Sequence, residues 1–149
     1  WIKFELPGFS AIIGSVYIPH EGSKYYTDDI FDTILNDCTT LRAKYDLPFL
    51  MVGDFNSRTG NLDDFVSLED EIQREIGFSF ISENMLDTRD ELESLGFCVK
   101  RYNIDRIVNN NGYKLLDLCK NIDVHIVNGR IGHDLVIGDV TCAGASTID

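Results

Sequence analysis

Four residues, Gly53-Asp54-Phe55-Asn56, follow directly on the short apolar run Phe49-Leu50-Met51-Val52. On an extended segment alternate side chains share a face, so Asp54 and Asn56 present a carboxylate and a neutral amide together. Asp can hold Mg²⁺ or accept a proton from water. Asn can donate to a phosphate oxygen without adding negative charge. The pair therefore suits phosphoryl transfer. The plainer alternative is a surface turn in which an Asx side chain bonds the local backbone. A calcium-binding EF-hand loop starting at Asp54 is excluded, because Arg58, Thr59 and Phe65 stand where it needs an oxygen ligand, a glycine and a glutamate.

Two further groups could take part. In Val16-Tyr17-Ile18-Pro19-His20, a tyrosine near a strand end could turn its hydroxyl toward a phosphate or an attacking water. The alternative is core packing with the hydroxyl satisfied. The second group is Ser146-Thr147-Ile148-Asp149 with Thr141 upstream, which alone reads as hydroxyl-rich loop and an exposed acid. His125 reads as a strand residue and His133 as a solvated loop residue.

These residues need elements to carry them. The apolar run 11–18, ended by Pro19 and Gly22, predicts a buried strand and a loop. Ile30, Phe31, Ile34, Leu35, Cys38, Leu41 and Tyr45 recur at helical spacing, with Thr27 as the expected N-cap and Leu47-Pro48 as the stop. A strand over 49–52 then delivers Gly53-Asp54-Phe55-Asn56 to its end. Strand, helix, strand and polar loop is the pattern of a layered α/β or α+β domain. Further on, Leu115, Leu116, Leu118, Cys119 and Ile122 predict a helix capped by Asn109-Asn110-Asn111. Val124-His125-Ile126-Val127 predicts a strand, and a last strand is expected from about Leu135 to Cys142. Residues 61–105 give no firm pattern.

Composition bounds the rest. The 149 residues are 44% hydrophobic and 26% charged, which suits one globular domain, and no apolar run is long enough for a bilayer span. The opening Trp1-Ile2-Lys3-Phe4 is not a signal peptide and lacks Met, so the expectation is a chain that begins inside a longer protein. Cys38, Cys98, Cys119 and Cys142 are widely spaced without a C-x-x-C pair. They read as reduced, mostly buried thiols of an intracellular protein. The net charge of −12 opposes a nucleic-acid partner in aggregate. Between Asn61 and Glu93, however, 11 acidic residues stand against Arg74 and Arg89, which leaves a net of only −3 elsewhere. Segment 61–93 is thus expected to be an acidic, solvated insertion.

Taken in order, Val16-Tyr17-Ile18-Pro19, Gly53-Asp54-Phe55-Asn56 and Ser146-Thr147-Ile148-Asp149 resemble the motifs of the endonuclease/exonuclease/phosphatase superfamily. Asp105, Asn109, Gly112, Leu115-Leu116-Asp117-Leu118-Cys119 and Val127-Asn128-Gly129-Arg130 are similar to the apurinic-like endonuclease domains of non-LTR retroelements. The resemblance implies an α+β fold that is part of a DNase I-like four-layer α/β/β/α sandwich. It implies a Mg²⁺-dependent phosphodiesterase, with Mn²⁺ as a substitute, that nicks DNA.

By the same resemblance Tyr17 contacts the scissile phosphate, Asp54 orients or deprotonates water, Asn56 stabilises the phosphorane, and Asp149 assists at the metal with Asp54. His20, Arg58 and Thr141 are the implied substrate contacts, His20 standing where the family often has Asn. The family's early Asn and metal-binding Glu and its closing Ser-Asp-His are missing from this sequence. The chain is therefore expected to be a partial domain over 1–149, truncated at both ends and nearly inactive alone. The implied parent is a nuclear protein with a C-terminal reverse transcriptase and no membrane association. The alternatives are a phosphatase of small or lipid phosphoesters and a non-catalytic remnant.

Overall fold

The computed structural model describes residues 1–66, 92–135 and 137–138. They combine helices with a small three-stranded sheet, a mixed α and β composition as expected. In chain order the elements are β1 (Ile2–Leu6), β2 (Phe9–Tyr17), α1 (Ile30–Tyr45), β3 (Phe49–Asp54) and α2 (Asn110–Ile122), with a short 3₁₀ turn at Gly132–Asp134. The sheet order is β1-β2-β3. β1 pairs antiparallel with β2, and β2 pairs parallel with β3 through the α1 crossover.

α1 covers the expected span. Its buried stripe includes Phe31 and Cys38, and Asp46 ends it in the left-handed conformation with its N–H donating to the Arg42 carbonyl. The N-cap differs from expectation. Asp29 holds that position without a side-chain cap bond, and Thr27 contributes only its carbonyl, to the Ile30 N–H. α2 is capped as expected, the Asn109 side chain accepting from the Gly112 N–H at 2.7 Å. Its carbonyl end is bonded by the Arg42 guanidinium, which also lies over the Phe49 ring.

One core joins β2, β3 and the two helices. Ile18, Phe31, Cys38, Phe55, Leu115, Leu118, Cys119 and Ile122 are buried together, with Val16, Ile34, Leu35, Phe49 and Met51 packed against them. The helices thus cover the sheet face that carries Val16, Phe49 and Met51. Burial of this kind, at roughly 25 cal/mol per Å², is what fastens α1 and α2 over the sheet. Among the described residues no helix is long and apolar enough to cross a membrane. The Cys38 and Cys119 side chains are buried and that of Cys98 is exposed.

The segment 124–127 is not a strand. The Val124 N–H donates back to the Cys119 carbonyl as α2 ends. The Ile126 N–H is taken by the Asp64 carboxylate and its carbonyl by Arg130, so side chains supply the bonds a sheet ladder would have supplied. His125 in this segment is half-buried, and His133 is exposed. Leu135 and Ile137 lie in turns and Gly138 in no regular element, where the last strand was expected to start. Val136 and the remainder of that expected strand, together with 67–91 of the acidic segment, fall outside the described residues.

Candidate active site

The parallel register pairs Tyr17 with Asp54, so the two leave neighbouring strands side by side at the carboxyl ends of β2 and β3. Side chains directly paired across strands sit roughly 5 Å apart on one face. Both are exposed, Tyr17 at 69%. Crevices at the carboxyl ends of parallel strands are the usual ligand sites of open α/β sheets.

The chain then turns sharply. Gly53 has φ +145°, and a side chain there would run into the Val16 carbonyl across the ladder. Asn56 adopts the left-handed region at φ +47°, a conformation that Asn tolerates better than most residues. Its N–H donates to Asp54 Oδ1 at 2.8 Å. Its Nδ2 donates to the Ile18 carbonyl at 2.8 Å and lies 3.4 Å from Asp54 Oδ2. Asp54 and Asn56 therefore do come together, through an Asx turn rather than through strand alternation. This is also the local bonding of the plainer alternative, so the turn and the carboxylate–amide pair are one structure.

Below this rim the loop is tightly held. Phe55, Ser57 and Thr59 are buried, while Asp54 is exposed and Asn56 and Arg58 are half-buried. Asn109 is the clamp. Its Oδ1 accepts from the Arg58 N–H at 2.9 Å as well as from Gly112, and its Nδ2 donates to the Asn56 carbonyl at 3.0 Å. The Asn109 N–H closes the set on the Arg58 carbonyl. Gly112 packs so closely on that carbonyl that a side chain would collide with it. Glu21 accepts from the Asn111 N–H at 3.1 Å, joining the loop after Tyr17 to the same helix end.

Of the implied substrate contacts, His20 lies exposed in the loop after β2. The Arg58 guanidinium is committed to Asp105 through two bonds, Nε to Oδ2 at 2.7 Å and Nη2 to Oδ1 at 2.8 Å. That carboxylate keeps the Arg58 guanidinium protonated above its ordinary range. Arg58 thus fastens the loop to the 105 region and presents little of its charge to a ligand. Thr141 and Asp149 lie outside the described residues. The roles of Glu21 and of Asn109 in ordering the loop were not read from sequence. Only the Asn109-Asn110-Asn111 run gave a hint.

A second node stands behind the site. Asp64 and Arg130 form a buried fork at 2.8–2.9 Å, their side chains 0% and 2% exposed. Burial opposes the charged Asp64. The Arg130 bonds and charge and the Ile126 N–H outweigh it, and they hold the carboxyl below its ordinary range. Asp64 belongs to the acidic stretch 61–93 yet is fully enclosed. No protein-family model matches the chain, and no curated protein or solved structure matches it either.

Proposed function

We propose that the chain forms the phosphate-handling edge of a metal-dependent phosphodiesterase, a DNA-nicking endonuclease of the retroelement type. The observation that carries this reading is the placement of Tyr17, Asp54 and Asn56 at the carboxyl ends of two parallel strands. Asp54 is exposed with one oxygen anchored by the Asn56 N–H, which fixes its orientation and leaves acceptor capacity for a water. The Tyr17 hydroxyl can donate to a phosphate oxygen from the adjacent position. Asn56 can do so once its long 3.4 Å contact to Asp54 is given up.

The donor set agrees with a hard cation only in part. Mg²⁺ is commonly held by one or two carboxylates, waters and the substrate phosphate itself. Asp54 supplies one such carboxylate, and no cluster of three ligating side chains exists among the described residues. Asp54 would hold the ion together with substrate, with Asp149 as the second acid the resemblance implies. The ion would supply charge stabilisation at the phosphate and leaving oxygen. The DNase I-like four-layer arrangement, the DNA substrate and an attached reverse transcriptase belong to this proposal.

The test is nicking of supercoiled plasmid with Mg²⁺ or Mn²⁺, by this chain and by a version extended to include the Glu and His of the family. Metal-dependent nicking that falls by a factor of about 10² or more in Asp54→Ala is the expected result. Equal nicking by the extended protein and its Asp54→Ala variant, or none by the extended protein, overturns the reading.

A further inference from the structure

The chain from Pro19 to Asp29 joins β2 to α1 without regular structure, and α2 holds it at two points. Near its start the Glu21 carboxylate accepts from the Asn111 N–H at 3.1 Å. Further along α2 the Lys114 ammonium donates to the Tyr26 hydroxyl and the Asp28 carbonyl, both at 3.0 Å, and to Asp28 Oδ1 at 3.3 Å. An ammonium has three N–H donors, and three acceptors of this one segment match them. Tyr26 and, after it, Asp28 keep Lys114 protonated above its ordinary range. The Asp28 side chain is 92% exposed, so its charge adds little, and the Tyr26 hydroxyl and the Asp28 carbonyl carry the contact.

We propose that residues 19–29 form a strap beside the Tyr17–Asp54 edge that opens and closes on α2, with Lys114 as its latch and His20 as the group it moves. Ile18 is the fixed end, since its N–H donates to the Asp54 carbonyl and its own carbonyl accepts from Asn56 Nδ2. Beyond it His20 follows the strap. The His20 carbonyl accepts from the Ser23 N–H at 2.8 Å, and a side chain at Gly22 would come within 3.4 Å of the His20 ring. A cost opposes closure. Asn111 is bonded to Glu21 on one side and to the Asn56 carbonyl on the other, and it is fully enclosed. Its Oδ1 has no hydrogen-bond partner among the described residues. An enclosed acceptor left unbonded is unfavourable, and opening the strap gives it water. The closed state therefore depends on its latch, and Lys114 is a positioning residue for His20. Latch and strap are defined without a substrate, so the inference stands whether or not the edge cleaves phosphodiesters.

The strap carries its own reporters. Lys24 is exposed at its middle, and limited digestion of the 149-residue protein with trypsin, followed by mass spectrometry, reads opening as the initial rate of cleavage between Lys24 and Tyr25. Lys114→Met is expected to raise that rate about tenfold, and Tyr26→Phe, which removes one acceptor and keeps the ring, about threefold. Asp28→Asn keeps the carbonyl and is expected to change it less than about twofold. Lys114→Arg keeps charge and donors and falls between wild type and Lys114→Met. The chain has three histidines, so their ring proton resonances separate a local from a general effect. In Lys114→Met and in Tyr26→Phe the His20 signal moves, while those of His125 and His133 stay in place. Cleavage at the wild-type rate in both variants, an unmoved His20 signal, or equal movement of all three histidines overturns the proposal.

Discussion

Replacing Arg130 by Met should be among the most damaging single changes in this protein. The guanidinium has five N–H donors, and all five are used. Nε donates to the Cys98 carbonyl, Nη1 to Asp64 and the Ile126 carbonyl, and Nη2 to Asp64 and the Val99 carbonyl. Met fills similar space and makes none of these bonds. It leaves a carboxylate whose side chain is 0% exposed, with the Ile126 N–H bond and the charge of Arg101 to offset its burial in place of the Arg130 fork. Breaking a buried pair from one side typically costs about 3–5 kcal/mol, a large share of the ~5–15 kcal/mol that holds a domain folded. With a urea slope of about 1–3 kcal/mol per M, the midpoint should fall by roughly 2 M.

The decisive comparison is a cycle with Asp64→Leu and the double variant. Removing both charges together should recover at least about 2 kcal/mol relative to the sum of the single changes, because neither group is then left buried alone. Single variants within about 1 kcal/mol of wild type, or a double variant that equals the sum, would refute the reasoning.

Other consequences can be measured on the same protein. Asp64 has a depressed carboxyl, so its contribution to stability is complete above about pH 4 and is lost as the pH falls through its lowered value. Urea midpoints should fall on acidification below pH 4 in the wild type and fall less steeply in the Asp64→Leu, Arg130→Met variant. Cys38 is pushed up to about 11 by burial and by Asp37, against the opposing charge of Arg42. At pH 8 a thiol reagent should label the exposed Cys98 rapidly and leave Cys38 unmodified until the protein unfolds; equal rates would contradict this. Asn109→Ala removes the α2 cap and both loop bonds, and should cost about 2 kcal/mol in urea unfolding, beyond the ~1 kcal/mol of an ordinary cap.

What sequence could reveal was local. The α1 stripe from Ile30 to Tyr45 and the Asn109 cap are repeats and residue types within a few turns, and both were legible. The alternation Ile2-Lys3-Phe4-Glu5-Leu6 also marks a strand, yet β1 was read only as a chain start. Val124–Val127 has the composition of a strand and is not one. Its fate is set by Asp64 and Arg130, and the separation of 62 positions from Asp64 to Ile126 leaves no periodic trace. The same holds for Arg58 and Asp105, whose pairing ties the loop to a residue 47 positions further along the chain. The meeting of Asp54 with Asn56 was anticipated by the wrong route, since alternation knows nothing of the left-handed turn at Asn56.

Asn109 holds the first turn of α2 and the Asn56–Arg58 backbone with one amide group. Neither can then open by itself without leaving that amide unsatisfied. The helix start and the Asn56–Arg58 loop should behave as one cooperative unfolding unit, and their amide protons should share a common opening free energy in native-state hydrogen exchange. A ligand that orders the loop would thereby protect the helix as well, so binding at the Asp54 edge would be felt by the far core as added rigidity.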